Sequence, residues 1–154
     1  MGNGSVIRPG DVQRMSAGRG VQHSEFNPAQ TEVVPLLQIC IEPNVTGIEP
    51  GYEEKHFDAA SKRGKLRLIA SSDGRDGSVT IHQDAAVYAA LLDGAERVSH
   101  ALAPGRKAYV HVARGKVAVN RQQLAAGDAL KASDESAIVI ETGDNAEILL
   151  FDLP

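Results

Sequence analysis

Residues 10–27 read GDVQRMSAGRGVQHSEFN and form the most informative part of the chain. Gly18 and Gly20 provide the unusual backbone dihedral angles that a sharp turn requires, shortly before a His-x-Glu pair. His23 and Glu25 are two residues apart, so an extended backbone would place both side chains on the same face. One imidazole and one carboxylate in that arrangement could share a cation, whereas on a polar loop both would simply face water.

The rest of the chain has the pattern of an all-β protein. Glycine, proline and Asp-Gly punctuation recurs about every eight to twelve residues, a spacing typical of a sandwich or barrel. Only 4% of the residues are aromatic and none is Trp, so Val, Ile, Leu and Ala must fill the core. Strands are predicted at Val12–Ala17, Val33–Glu42, Lys65–Ala70, Val79–His82, Ala86–Leu92, Val98–Leu102, Ala108–Arg114, Lys116–Asn120, Ala129–Ala132, Ala137–Glu141 and Glu147–Leu153.

One short pattern occurs twice. Ile7-Arg-Pro-Gly-Asp11 matches Leu124-Ala-Ala-Gly-Asp128, each with the form aliphatic residue, two spacers, Gly-Asp and then a strand. The same offset places Asn3 on Asn120. Five residues are a short match, so duplication of one β-domain and coincidence both stay open.

The longer pattern Met15-Ser-Ala-Gly-x-Gly-x-x-His23-Ser-Glu25-x-Asn27 resembles the second sequence motif of the cupins. Its form is that of pirins and of bacterial quercetin 2,3-dioxygenase-like proteins. Arg75–Asp84 is similar to the start of the C-terminal cupin of those proteins, and Leu149–Pro154 is similar to its last strand. The resemblance covers nearly the whole chain and implies a bicupin.

The resemblance also implies a domain arrangement. Residues 1–45 correspond to the C-terminal part of an incomplete N-terminal cupin of the metal-binding type. Residues 63–154 correspond to a C-terminal cupin, a double-stranded β-helix related to the jelly roll, in which Ser133–Ser136 stands where a metal ligand would be. Residues 46–62 are expected to be an interdomain linker, because proline, glycine and charged residues break any strand period there.

In this family a single metal, usually iron, is held by three His and one Glu. By motif position, His23 corresponds to the third His and Glu25 to the Glu, which makes Glu25 the expected catalytic residue as well. Iron(II) is the expected ion, with copper, nickel, cobalt, manganese and zinc as alternatives. The other two ligands belong to a His-x-His segment that this sequence lacks, so a metal is expected to bind weakly or to be absent from this chain.

The implied activity is that of a quercetin 2,3-dioxygenase, in which a metal with open coordination positions directs dioxygen to the ring of a flavonol. With two of the four implied ligands missing, the chain by itself is expected to be impaired or inactive. The alternative is a non-enzymatic cupin module that binds another chain. Val33–Ile41 is almost wholly apolar, and without strands to cover it this segment would favour a homodimer or a strand-exchanged oligomer.

Charge and composition exclude several classes of partner. The net charge is -4 and Lys and Arg are scattered singly, so neither nucleic acid nor an anionic membrane is expected to bind. No N-terminal stretch resembles a secretion signal and no apolar run reaches the length of a membrane span, which predicts a cytoplasmic protein. Cys40 lies between Ile39 and Ile41 and is predicted to be a buried thiol.

The remaining histidines are not expected to bind metal. His111 alternates with Tyr109 on a predicted strand and is interpreted as a lone polar group that faces the barrel interior. His56, His82 and His100 lie among polar residues and are predicted to be solvated.

Overall fold

The computed structural model describes residues 4–154. The chain is 49% strand and 5% helix. The strands are β1 Asp11–Ser16, β2 Gly51–His56, β3 Arg67–Ser71, β4 Val79–Thr80, β5 Ala86–Ala101, β6 Lys107–Val119, β7 Gln122–Ala125, β8 Ala129–Ala132 and β9 Ala137–Leu153. One short helix, α1 (Ala59–Lys62), and a 3₁₀ turn at Arg75–Gly77 interrupt them. Among the described residues no helix is long and apolar enough to cross a membrane. Asn3, part of the predicted internal match, lies outside the described residues.

Strands β3 to β9 form one sheet that folds around a hydrophobic core. The strand order is β4-β3-β5-β9-β6-β7, and β8 pairs with β6. The register between the long strands β5, β6 and β9 shifts at several points, for example at Gly94. Such irregularities bend a strand and increase its twist. The bends bring side chains of β5 and β8, which are not neighbours in the sheet, onto the same core.

Side chains of the sheet alternate between two apolar clusters, one on each face. Val110, Ile148 and Leu150 are completely buried in what we call the inner cluster. Leu149 and Phe151, the chain neighbours of Leu150, belong to the outer cluster on the opposite face. Burying one large aliphatic side chain contributes roughly 1.5–3 kcal/mol, so the two clusters account for much of the stability of this domain.

Strands β1 and β2 form a separate antiparallel ribbon. In its register Gln13 lies opposite Glu54, and Met15 lies opposite Tyr52. One face of the ribbon packs on the outer cluster of the main sheet, where Val12 makes contact. We call this the docked face, and we call the opposite face, which carries the two pairs just named, the open face.

Glu53 and its partners bind the docked face to the main sheet through hydrogen bonds and ion pairs. Its Oε2 accepts hydrogen bonds from the backbone N of Thr80 at 2.8 Å and from the Arg14 guanidinium at 3.3 Å. Lys55 Nζ lies 2.8 Å from Glu53 Oε1 and donates to the backbone carbonyl of Ser78 at 2.6 Å. The bond from Lys55 contributes most, followed by that from Thr80, and together these donors lower the pKa of Glu53 to about 2. The carboxylate is therefore ionised wherever the ribbon is docked near neutral pH.

The prediction of a strand at Val33–Glu42 is wrong. Residues 31–40 are exposed and form no strand. The end of the segment is attached, because Gln83 Nε2 donates to the Glu42 carbonyl at 2.8 Å and Ile41 packs on the outer cluster. No described strand pairs with the rest of it, and an extended segment without a ladder partner does not form a strand.

Cys40 is exposed, so the prediction of a buried thiol is also wrong. Its neighbours Leu37 and Ile39 are 50% and 43% exposed. The apolar sequence indicates a segment suited to burial. Burial of Cys40 also requires another element to pack on this segment, and the local sequence does not determine that contact.

Strand β2 lies within residues 46–62, where the sequence predicts a connection without strands. Its sequence, Gly51-Tyr-Glu-Glu-Lys-His56, lacks apolar alternation because one face is held by ion pairs and the other is polar. Polar pairing across the ribbon therefore replaces the hydrophobic signal from which strands are usually recognised.

The main sheet differs from the prediction mainly in how its strands are divided. Six predicted segments, two in each of β5, β6 and β9, are joined into three long strands, and the short strand β7 was missed. Within β6, a Cβ at Gly115 would lie 2.3 Å from the Asp144 carbonyl oxygen of β9. This glycine permits a close backbone approach at a bend, and the strand continues through it.

We expect Glu53→Gln to weaken docking of the ribbon by about 1–2 kcal/mol, because the amide can still accept from Thr80 but loses the charge that pairs with Lys55 and Arg14. Amide hydrogen exchange at Thr80 measures this directly and should become faster. Glu135→Gln, a change at an exposed carboxylate, is the matched control and should leave the Thr80 amide unchanged.

The same substitution should alter the dependence of stability on pH. The pKa of Glu53 is lowered from 4.5 to about 2, so its contribution is present above pH 4.5 and is lost as pH falls toward 2. Between those values the wild-type chain should lose stability more steeply than Glu53→Gln in urea unfolding. Parallel curves for the two proteins would contradict the assigned role of Glu53.

Candidate functional site

The turn before β1 and the turn before β8 have the same hydrogen bonds. The Asp11 carboxylate accepts from the backbone N of Arg8 at 2.7 Å, and the Asp128 carboxylate accepts from that of Ala125 at 2.9 Å. In each turn the backbone N of the Asp donates at 2.9 Å to the carbonyl of the residue three positions earlier. The preceding glycines have φ of +96° and +92°. The two matching sequences are thus copies of one structural element, which favours duplication over coincidence.

Strand β1 continues into a tight turn that precedes the His-x-Glu pair. The backbone N of Gly20 donates to the Ala17 carbonyl at 2.8 Å, and that of Arg19 donates to the Ile48 carbonyl at 3.1 Å. Gly18 has φ of +54°, and a Cβ there would lie 2.2 Å from the Ile48 carbonyl oxygen. The predicted turn is confirmed, and only glycine allows this approach to residue 48.

His23 and Glu25 are both exposed and lie on an irregular segment. Val21–Ser24 line a shallow depression that is open to solvent. No strand pairs with this segment in the described chain. The metal-binding role of both residues and the catalytic role of Glu25 stay predictions.

These two side chains do not fit a complete metal centre by themselves. Within residues 4–154, no three His, Cys, Asp or Glu side chains are grouped closely enough to hold a metal ion. Metal sites in proteins normally use three or more protein ligands, so the pair can supply only part of a coordination shell.

Asn27, the last residue of the motif, has a local structural role. Its Nδ2 donates to the Glu32 carbonyl at 2.6 Å, and its Oδ1 accepts from the backbone N of Ala29 at 3.0 Å. Asn side chains commonly stabilise turns in this way. These bonds shape the backbone that follows Glu25.

A polar cluster on the open face of the ribbon was missed by the sequence analysis. Gln13 Nε2 donates to Tyr52 Oη at 2.6 Å and to Glu54 Oε2 at 3.4 Å. The Tyr52 hydroxyl donates to the same Glu54 oxygen, and Ser5 Oγ lies 3.1 Å from Tyr52 Oη. Partial burial, followed by the bond to Glu54, raises the pKa of Tyr52, so the phenol is a neutral donor at physiological pH.

The signal that could have revealed this cluster is a matched spacing of two. Gln13 and Met15 alternate on β1, and Tyr52 and Glu54 alternate on β2. Because residues 46–62 are predicted to be a linker, the sequence does not predict the pairing of β1 with β2.

A second polar cluster joins β5, β9 and the turn before β6. His100 Nε2 lies 2.7 Å from one Asp152 carboxylate oxygen, and Arg106 Nε donates to the other at 2.6 Å. Arg106 also donates to Asp84 at 2.9 Å, and the His100 ring lies 4.8 Å from that of Tyr88. The His100 side chain is only 14% exposed, so the prediction that it is solvated is wrong. These groups pair with one another, which indicates a structural role.

His111 faces the outer side of the main sheet. Its strand neighbours Val110 and Val112 are both in the inner cluster, so alternation places His111 on the other face. There it helps to line a cleft of about 610 Å³ between β6, β9 and residues 37–42. The predicted orientation toward the barrel interior is wrong, because the apolar residues between the polar ones occupy that interior.

Two family models match the chain. The model described as "Pirin" matches residues 1–41, and the model of the quercetinase C-terminal cupin domain matches residues 68–153. Quercetin 2,3-dioxygenase of Escherichia coli K12 is 43% identical over 154 residues, covering 100% of this chain and 65% of that protein. A pirin-like protein of Caulobacter vibrioides is 38% identical, covering 99% of this chain and 66% of its own length.

Solved structures agree with these matches. The crystal structure of YhhW from Escherichia coli superposes with a TM-score of 0.88 at 38% identity, covering 100% of this chain and 64% of that one. The bacterial pirin YhhW in complex with nickel(II) gives a TM-score of 0.86 at 41% identity, covering 94% and 62%. The predicted all-β cupin fold is confirmed.

We expect Gly18→Ala to open the turn before His23, because the added Cβ cannot fit beside the Ile48 carbonyl. Hydrogen exchange of the Arg19 amide, which donates to that carbonyl, should become about five- to thirtyfold faster, as a cost of roughly 1–2 kcal/mol for a left-handed alanine implies. Gly94→Ala is the control, since Gly94 has a similar φ of +59° and open space around it. An Arg19 amide that stays equally protected in Gly18→Ala would contradict this account of the turn.

Proposed function

This chain belongs to the pirin family and carries the C-terminal cupin domain of the quercetinases, and from this we propose that it forms part of a metal-dependent flavonol 2,3-dioxygenase. The chain spans 65% of the length of the Escherichia coli quercetin 2,3-dioxygenase that it matches. The activity is therefore proposed for a centre to which this chain contributes. A flavonol is the proposed substrate, and the cytoplasm is the proposed location.

The domain arrangement is part of the proposal. Residues 1–45 belong to the metal-type cupin, residues 46–62 connect the two domains, and residues 63–154 form the C-terminal cupin. The limits of the two family matches, 1–41 and 68–153, support these boundaries. Strand β2, within the connection, pairs with β1 of the first domain and so links the two parts.

His23 and Glu25 are the proposed metal ligands of this chain, and Glu25 is the proposed catalytic residue. The observation that carries the assignment is the anchored turn at Gly18, which directs the chain from β1 into the His-x-Glu pair. Iron(II) is the proposed ion, and the structure of a relative in complex with nickel(II) supports a divalent metal. Two ligands do not complete a centre, so we derive no catalytic step from this pair alone.

Metal titration tests the assignment. Calorimetry with nickel(II) should show weak binding to the 154-residue chain and binding tighter by about a hundredfold when the preceding region of the Escherichia coli relative is fused to it, because each added imidazole contributes a factor of ten or more. His23→Ala in the fused protein should remove most of this gain. His82→Ala, at a histidine of the bend between β4 and β5, is the control and should not. Equal binding by the fused protein and its His23→Ala variant would overturn the assignment.

The same fused protein provides an activity test. We expect it to consume quercetin in the presence of dioxygen and iron(II), and we expect Glu25→Gln to slow this at least a hundredfold because a ligand and catalytic group is lost. The unfused chain should be inactive. Full activity of Glu25→Gln would exclude Glu25 from the centre.

A second candidate function is association through the apolar segment. Val33 and Leu36 are 92% and 62% exposed, and the residues around them are similarly uncovered. Contiguous exposed apolar side chains of this kind mark an interaction surface. The candidate is a non-enzymatic cupin module that forms a homodimer or strand-exchanged oligomer through these residues.

Sedimentation at micromolar concentration tests this second candidate. We expect the 154-residue chain to dimerise and Leu36→Asp to shift it toward monomer by at least tenfold in dissociation constant, since a buried charge opposes association. Val6→Asp is the control, because Val6 is 68% exposed and lies outside the segment. A wild-type chain that is monomeric throughout would rule the module out.

A further inference from the structure

The open face of the ribbon corresponds to the interior face of the C-terminal barrel. Both β1 and β8 begin at the same Gly-Asp turn, so positions at equal distance from the two Asp residues are equivalent. Gln13 is therefore equivalent to Leu130, and Met15 to Ala132. Leu130 and Ala132 both point to the inner cluster of the main sheet.

The partner residues on β2 share this inward face. Gln13 lies opposite Glu54, and Met15 lies opposite Tyr52. Directly opposite residues of an antiparallel pair point to the same side of a sheet. Tyr52 and Glu54 therefore lie on the same face as Gln13.

Packing of the ribbon leads to the same conclusion independently. Val12, Glu53 and Lys55, on the docked face, contact the outer side of the C-terminal sheet. The open face is directed away from that sheet. The two copies therefore meet through their outer faces, and the inner face of the first is the one that carries Gln13 and Tyr52.

A polar cluster on this inward face requires an explanation. In the second copy the residues equivalent to Gln13 and Met15 are the apolar Leu130 and Ala132, which stabilise a barrel by burial. In the first copy an amide, a phenol and a carboxylate are bonded to one another on this face. Gln13 lies on β1, the strand that leads to His23 and Glu25, which links the cluster to the proposed metal site.

The cluster can bind a hydroxylated ligand. Within the described residues no hydrogen bond is made to the second carboxylate oxygen of Glu54, Oε1, so that oxygen is free to accept from a ligand hydroxyl. Met15 lies opposite Tyr52 on the same face and offers a polarisable thioether to an aromatic ring. A phenolic hydroxyl on a flat aromatic ring matches this combination.

We propose that Gln13, Tyr52 and Glu54 form the polar wall that binds a hydroxyl group of the flavonol, with Glu54 Oε1 accepting the hydrogen bond. Gln13 and Tyr52 both donate to Glu54 Oε2 and so hold the carboxylate in place. The inference rests on the proposed flavonol dioxygenase function and assigns to it a binding site separate from the metal ligands. None of the three residues is required to contact the metal.

Binding of quercetin to the metal-free chain, followed by its absorbance in the presence of EDTA, tests the proposal. Glu54→Gln and Tyr52→Phe should each weaken binding about tenfold or more, because each removes a hydrogen-bonding group while nearly preserving the side-chain size. Tyr109→Phe is the control, since it makes the same chemical change on the outer face of the main sheet and should leave the affinity unchanged. Hydrogen exchange of the Arg14 amide reports whether the ribbon stays formed in each variant.

The outcomes separate this inference from the proposed metal site. If quercetin binds equally to the wild type, Glu54→Gln and Tyr52→Phe while the ribbon stays formed, the cluster is structural and the inference is wrong. If nickel(II) binding to the fused protein does not depend on His23, the metal assignment fails instead. A His23→Ala chain should bind quercetin as the wild type does under EDTA.

Discussion

The ion pairs of Glu53 are the interaction on which the rest of the arrangement depends. A two-stranded ribbon is marginally stable in water, so β1 and β2 need a surface on which to pack. Glu53 accepts from Thr80 of the main sheet and pairs with Arg14 and Lys55 of the ribbon, which fixes the ribbon in one orientation. Because the carboxylate is only 24% exposed, these charge-assisted bonds are stronger than ordinary surface pairs.

Docking through one face gives the ribbon two sides with different chemistry. The docked side joins the outer cluster, and the open side carries the Gln13, Tyr52 and Glu54 cluster. Two copies of the Gly-Asp turn lead into strands of the same geometry, yet one strand has Leu130 where the other has Gln13. A duplicated element has thus kept its backbone hydrogen bonds while its inward side chains have diverged, from an apolar core in one copy to polar groups suited to a ligand in the other.

In the apolar segment at residues 31–40, the side chains are exposed although their sequence is suited to burial. Its side chains have the composition of a buried strand, but the described chain provides nothing to cover them. An edge without a partner can acquire one from another polypeptide, which is why the same residues support both the completion of a metal-binding cupin and association between chains. The choice between these depends on the strands that pair with the segment.

The sequence by itself determined the all-β class, most positions of the main sheet, the turn at Gly18 and the family, because these depend on local dihedral preferences and on the spacing of apolar residues. Only the tertiary structure decided that β2 is a strand, that His100 is paired with Asp152, and that His111 faces outward. Each of these depends on a contact with a residue that is distant in the sequence, as the hydrogen bond between Glu53 and Thr80 does. No local pattern contains that information, since the partner of a polar side chain is chosen by the packing of the whole chain.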